Sequence, residues 1–282
     1  MMEIAISLAI VGVALVAIIG VLPIGMNAQK NNRQGTIVGQ DATVFMEAIR
    51  NGTLGMDDLT NYVYAITNYW AEFSPLPPIG SGATNNVGVN GYTFANSLVP
   101  NTYYPYLGSS GPALTNAANI IGLMSTPEFT DVNGNPVPCV YDATNSNQFV
   151  FSNHIVVYAY SVSGLAVEKP PQDNAILQQD SFGYRIFCVN APVGVNTNDY
   201  MPGNSPSIYE RELANNLHEL RLTFLWPQTA NGHLGSGLQT FRTMIAGELL
   251  HQPPKNPFNS ASSIWYNTNF YFYQSQWFTN AP

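Results

Sequence analysis

Charge is what this sequence has least of. Only 9% of its 282 residues are charged, where a globular domain usually carries about 25%. Nine Lys and Arg stand against 17 Asp and Glu, and the nine are scattered, so no basic stripe exists to neutralise a phosphate backbone; nucleic-acid binding is excluded as the main role. Cysteine is nearly absent too, and Cys139 and Cys188 are too far apart for a CxxC redox or zinc motif. The four histidines, His154, His218, His233 and His251, form no HExxH pair. Gly232-His233-Leu234-Gly235-Ser236-Gly237 lacks the Lys and following helix of a phosphate loop and reads as a hairpin tip. Asp131-Val132-Asn133-Gly134-Asn135 offers oxygens at alternate positions but no distal bidentate acid, and reads as a type I′ turn rather than a calcium loop. With no nucleophile elbow or paired acids either, the sequence points away from an enzyme, a cofactor or a metal.

Neutral polar residues, 16 Tyr, 23 Gly and 20 Pro replace the missing ions. Disorder is excluded, because 45% hydrophobic and 12% aromatic residues are enough to build a core. A weakly charged surface lowers repulsion between copies, which suits a subunit that packs against itself.

The longest apolar run comes first. No charge falls between Ile4 and Gln29, and the 23 residues from Ile4 to Met26 would span about 35 Å as a helix, against a hydrocarbon core of about 30 Å. The run is too long for a cleaved secretory signal, and an acid, Glu3, stands where a basic front end belongs. A carboxylate at that depth needs a cation; none lies within the first turns, so the α-amino group of a neighbouring copy is the expected partner of Glu3. Gly12, Gly20, Pro23 and Gly25 weaken a helix at up to about 1 kcal/mol per Gly and more for Pro. A solitary anchor gains nothing from them, whereas a helix that bends or locally melts on entering a bundle does.

The run Met2-Glu3-Ile4-Ala5-Ile6-Ser7-Leu8-Ala9-Ile10-Val11-Gly12, continuing to Gly20-Val21-Leu22-Pro23-Ile24-Gly25, resembles the N-terminal signature of type IV pilins and type II secretion pseudopilins, with Glu3 and Gly12 at the family's nine-residue spacing. The Leu-Pro-Ile-Gly setting of Pro23, and loosely Leu220–Phe224 and Gln239–Thr243, are similar to pilin-like proteins of the Verrucomicrobia and their relatives. In the family the glutamate is normally the fifth residue of the mature chain, after a basic leader ending in Gly. Two residues precede Glu3 here, which implies either leader residues upstream or an atypical N-terminus. The resemblance implies an α+β, pilin-like fold: a long hydrophobic helix, then a globular domain with an antiparallel sheet. It also implies a prepilin peptidase and inner-membrane assembly machinery as partners, and a subunit that passes from the inner membrane into an extracellular homopolymeric filament. Two rival readings stand beside it, a minor pseudopilin of a type II secretion system and a membrane-anchored surface adhesin or lectin.

Three regions are expected. Residues 1–50 form the membrane and filament-core helix, ending at Asn51-Gly52. Residues 51–147 hold a second helix, capped by Asp57 and Asp58 with Leu59, Val63, Ile66 and Trp70 on one face and ending before Pro75, then irregular loops and short hairpins. Residues 148–282 hold strands at 148–162, 182–190, 220–226 and 238–250, the last two joined by a hairpin loop at Asn231-Gly232. In a chain folding outside the inner membrane Cys139 and Cys188 are expected to pair; closing that loop would stabilise the fold by roughly 4 kcal/mol, the alternative being two separate buried thiols. The aromatic cluster at the end, Trp265, Tyr266, Phe270, Tyr271, Phe272, Tyr273, Trp277 and Phe278, exceeds what one strand can bury. Trp265, Tyr266, Tyr271, Tyr273 and Trp277 are candidates for contact between subunits, with core packing and carbohydrate stacking as the other uses.

Overall fold

A computed structural model describes residues 2–52, 59–73, 84–93, 114, 116–140, 150–163, 183–201, 203–228, 232–252 and 270–274. Helix α1 runs unbroken over Met2–Asn51, through Pro23, with Glu3 in its first turn and Arg50 in its last. Both charges complement the helix dipole. Gly52 follows at φ 59°, the left-handed stop that a glycine provides.

A seven-stranded antiparallel sheet is packed against the C-terminal third of α1. Its strands are β1 (Val63–Phe73), β2 (Thr84–Thr93), β3 (Phe129–Asp131), β4 (Val150–Tyr160), β5 (Gly183–Pro192), β6 (Leu217–Gln228) and β7 (Leu234–Ala246). The order is β2-β1-β4-β5-β6-β7, with β3 beside β4. The α+β layout expected from the sequence is therefore present, and the sheet draws strands from both sides of residue 147. Strand β6 alternates strictly, with His218, Leu220, Leu222, Phe224 and Trp226 buried and the intervening side chains partly open, the period of a strand with one face on a core.

Two short helices, α2 (Leu59–Tyr62) and α3 (Ala117–Met124), also cover the core. Asn116 caps α3, its side-chain oxygen accepting from the Ala118 N–H at 2.8 Å. A fourth helix, α4 (Ile208–Asn216), opens with a capping box between Ser207 and Glu210. A two-stranded sheet of β8 (Glu248–Gln252) and β9 (Phe270–Gln274) completes the described fold.

Several expectations are corrected. The second helix is four residues long, and Val63, Ile66 and Trp70 lie on β1. Val63 to Thr67 are all buried, so β1 is covered on both faces, shows no alternation, and its i, i+3, i+7 apolar spacing imitates a helix. β-branched and aromatic residues settle it as a strand. Asp57 and Asp58 lie outside the described residues. The strand expected at 238–250 is two strands, broken at Gly247, where φ is 126°. No disulfide joins Cys139 and Cys188: each is a buried thiol. Cys188 sits on β5 inside the main core cluster, opposite Ile155 and Leu222, whereas Cys139 lies in the loop after β3, outside that cluster. The terminal aromatics divide as well. Tyr271 and Tyr273 are buried core residues, not exposed contacts, with their hydroxyls donating to the Gly134 carbonyl and to Asn190 Oδ1. Trp265, Tyr266 and Trp277 lie outside the described residues.

Two indoles lie across glycines on neighbouring strands. Trp226 faces Gly237, where a Cβ would stand 2.5 Å from the ring, and Trp70 faces Gly88, where it would stand 2.3 Å away. Only glycine admits a ring that close.

Candidate functional site: the exposed stem and its seat

Every described side chain from residue 2 to residue 33 is exposed, although most are apolar; Ile4, Leu8, Val13 and Ile19 each expose more than two thirds of their surface. Those 32 residues make a stem about 48 Å long. Its apolar part is long and apolar enough to cross a membrane. Glu3 is placed at its tip, where Ser7 Oγ donates to the Glu3 carbonyl at 2.6 Å. Gly12, Gly20 and Gly25 have nothing within 4 Å of where a Cβ would project. No contact inside the molecule demands glycine at any of the three, so each costs helix stability without an internal return. Pro23 removes the donor for the Ile19 carbonyl without ending the helix.

The seat begins at Val38. Val38, Ala42, Phe45, Ala48 and Ile49 form one fully buried stripe, and burying the Val, Phe and Ile alone contributes roughly 5–8 kcal/mol. The Phe45 ring meets Phe224 at 6.4 Å, and Phe224 meets Tyr184 edge-on at 5.1 Å and Phe241 at 5.7 Å.

Asp41 lies on the same stripe and is fully buried. Its Oδ1 accepts from the Ser163 N–H at 2.8 Å and from Ser163 Oγ; its Oδ2 accepts from the Val162 N–H at 3.1 Å and from Tyr184 Oη at 2.9 Å. One carboxylate thus ties α1 to the end of β4 and to β5. Burial raises its pKa above the ordinary value of 3.8, and the four donors pull only partly the other way. The Tyr184 hydroxyl is pushed well up by its own burial and by the Asp41 charge. Sequence reading missed this group, yet a signal was present: an acid at position 41 sits inside the 38–42–45–49 apolar stripe, where an unpaired charge is not tolerated.

At one end of the sheet a cavity of about 210 Å³ is lined by four prolines with His218 and Glu248. His218 is buried, its ring edge-on to Tyr273 at 5.6 Å, and burial pulls its pKa down to about 4. One neutral imidazole beside one carboxylate forms no catalytic constellation by itself. Among the described residues no three His, Cys, Asp or Glu side chains converge as a metal-holding group. Asp131 is occupied by its own turn: Oδ1 accepts from the Asn133 and Asn135 N–H groups, each at 2.8 Å, and Gly134 adopts φ 84°. The turn is organised by an aspartate side chain rather than by the two central residues of a type I′ hairpin.

Comparison with protein-family models, with curated proteins and with solved structures gives no match to the chain.

Proposed function

We propose that the chain is a structural subunit that polymerises through its N-terminal helix into an extracellular type IV pilus-like filament. One observation carries the reading: a single continuous helix is the core of a folded domain at its C-terminal end and a bare stem of about 48 Å at the other, the apolar part of it about 35 Å long. A stem of that kind has two environments available, lipid and the stems of other copies. Moving between them gains no hydrophobic free energy. Close helix approach at Gly12, Gly20 and Gly25 and pairing of Glu3 with a neighbour's α-amino group set the register instead. The subunit waits in the inner membrane, is processed by a prepilin peptidase and enters the filament through inner-membrane assembly machinery; the sheet domain forms the outer shell.

The test is electron microscopy of sheared surface material from cells expressing the wild type or Glu3→Ala. Filaments with the wild type and none with the variant support the proposal, and mass determination of the N-terminal peptide reports processing. A chain that stays monodisperse in detergent, with no filaments on the cell, refutes it and leaves a membrane-anchored adhesin, for which Glu3→Ala is silent. Filaments too scarce to appear in sheared fractions point to a minor pseudopilin.

A further inference from the structure

The sheet face turned away from α1 carries three of the chain's nine basic residues: Arg185, Arg221 and Arg242. Arg185 is held internally, donating to the Gly232 carbonyl at 2.8 Å and lying 5.1 Å over the Tyr158 ring. The other two share a single acid. Arg221 and Arg242 are directly opposite each other on β6 and β7, an arrangement that costs stability in an isolated sheet. One carboxylate, Glu219, serves both, at 3.8 and 3.7 Å, and the Arg242 side chain is 65% exposed. The adjoining row is Phe187, Thr223 and Thr240, and Met244 stands beside Glu219; Phe187 and Met244 are exposed. Arginine with exposed apolar side chains is the composition of an interface rather than of a solvated face.

A counterpart lies on the same chain. Asp199 in the segment before α4, with Glu210 and Glu212 in the first turns of α4, stands against a single Arg211, and Ile208 and Tyr209 open the helix. Tyr209 is 85% exposed, the most exposed aromatic among the described residues. An aromatic rimmed by acids complements a face that carries two arginines with one acid between them.

We propose that the Arg221–Arg242 face is a docking surface for a second copy of this chain, which inserts its Tyr209 tip and places Glu212 against the arginines. The contact is heterologous, since the two patches differ, and so propagates from copy to copy. Three strands by four side-chain rows cover roughly 10 by 20 Å, far less than the roughly 800 Å² per partner of a self-sufficient interface. The contact therefore acts alongside others. In this it rests on the polymerisation reading and names the shell contact that accompanies packing of the stems.

The experiment uses full-length chains in membranes, one carrying Ile208→Cys and the other Thr240→Cys; neither change touches the arginines or Tyr209, and the native thiols are buried. Mild oxidation of the mixture is expected to give a cross-linked heterodimer at about ten times the yield of either variant alone, falling at high salt. Arg242→Glu in the Thr240→Cys chain is expected to cut the yield about tenfold, and Glu212→Arg in its partner to restore it to within about threefold. A mixture no better than the single variants, or a charge swap that restores nothing, overturns the proposal even if filaments are seen. Cross-linking without filaments leaves the docking standing and removes the polymerisation reading.

Discussion

Replacing Asp41 by Asn tests the seat of the stem at its most sensitive atom pair. Each carboxylate oxygen accepts one backbone N–H and one hydroxyl. Whichever oxygen becomes the amide NH2, its hydroxyl neighbour can rotate and accept instead, but its backbone N–H, of Ser163 or of Val162, is left facing another donor. An orphaned buried N–H costs about 1–3 kcal/mol. Loss of charge assistance at the remaining oxygen adds about 1 kcal/mol, and relief of the buried charge returns a similar amount. Asp41→Asn should therefore destabilise the domain by about 2 kcal/mol and lower Tm by about 4–8 °C. Asp41→Ala orphans both N–H groups and the tyrosine hydroxyl and should cost about 4 kcal/mol. Urea unfolding in detergent, followed by near-ultraviolet circular dichroism, reads the sheet domain while the stem stays helical. The pH dependence carries a sign. A carboxyl whose folded pKa lies above its unfolded value stabilises the fold fully below the unfolded value of 3.8, and that contribution is lost as pH rises through the folded pKa. The gap between wild type and Asp41→Asn should accordingly widen on acidification from pH 7 to pH 4. A gap under about 0.5 kcal/mol at pH 7, or one that narrows with acid, would refute the assignment.

His218 titrates with the opposite sign: its folded pKa of about 4 lies below the unfolded 6.5, so its contribution is complete above 6.5 and lost as pH falls towards 4. The loss amounts to about 3 kcal/mol, and a His218→Phe variant should show a correspondingly flatter stability curve over that window. Thiol titration in denaturant without reductant should find two thiols per chain, and dithiothreitol should leave Tm unmoved; one reducible bridge would contradict the positions of Cys139 and Cys188. Gly237→Ala forces a Cβ within 2.5 Å of the Trp226 ring and should cost about 1–3 kcal/mol by denaturant unfolding, whereas Gly20→Ala, with open space around it, should leave the fold unharmed or slightly firmer.

What could be read from sequence followed how many faces each element shows to water. The stem was plain because nothing from Ile4 to Gln29 is charged. Strands β4, β5 and β6 were plain in large part, β6 most clearly, since one side of it is core and the other is open. Strand β1 imitates a helix in sequence because burial on both sides erases its alternation. Helix α3 was missed because Ala117 to Met124 is apolar nearly all round, and six of its eight residues are buried. The aromatic ending reads as surplus in sequence, but Tyr271 and Tyr273 turn inward and donate their hydroxyls to backbone and side-chain acceptors in the core. The Arg221–Arg242 pair could not be seen at all, because two arginines 21 positions apart become neighbours only once the register of β6 and β7 is known.

Helix α1 works as two helices joined end to end, one an exposed apolar run long enough to cross a membrane and the other a buried stripe in the domain core. Residues 27–36, from Asn27 to Thr36, are almost wholly polar and include Lys30 and Arg33. They separate the exposed apolar run before them from the buried stripe after them. Below the join, the apolar stripe supplies the holding free energy but little direction, since such contacts tolerate a turn of rotation. Asp41 supplies the direction: three of its donors come from Val162 and Ser163 just after β4 and one from Tyr184 on β5, and they accept a carboxylate in only one rotation of the helix. The domain is thereby fixed relative to the stem, so any register set among stems would be transmitted to the Arg221–Arg242 face on the far side of the sheet. A variant that loosens Asp41 while leaving the stripe intact should keep the domain folded at low temperature yet lose the Ile208–Thr240 cross-link; retention of that cross-link would show that the two levels are not coupled.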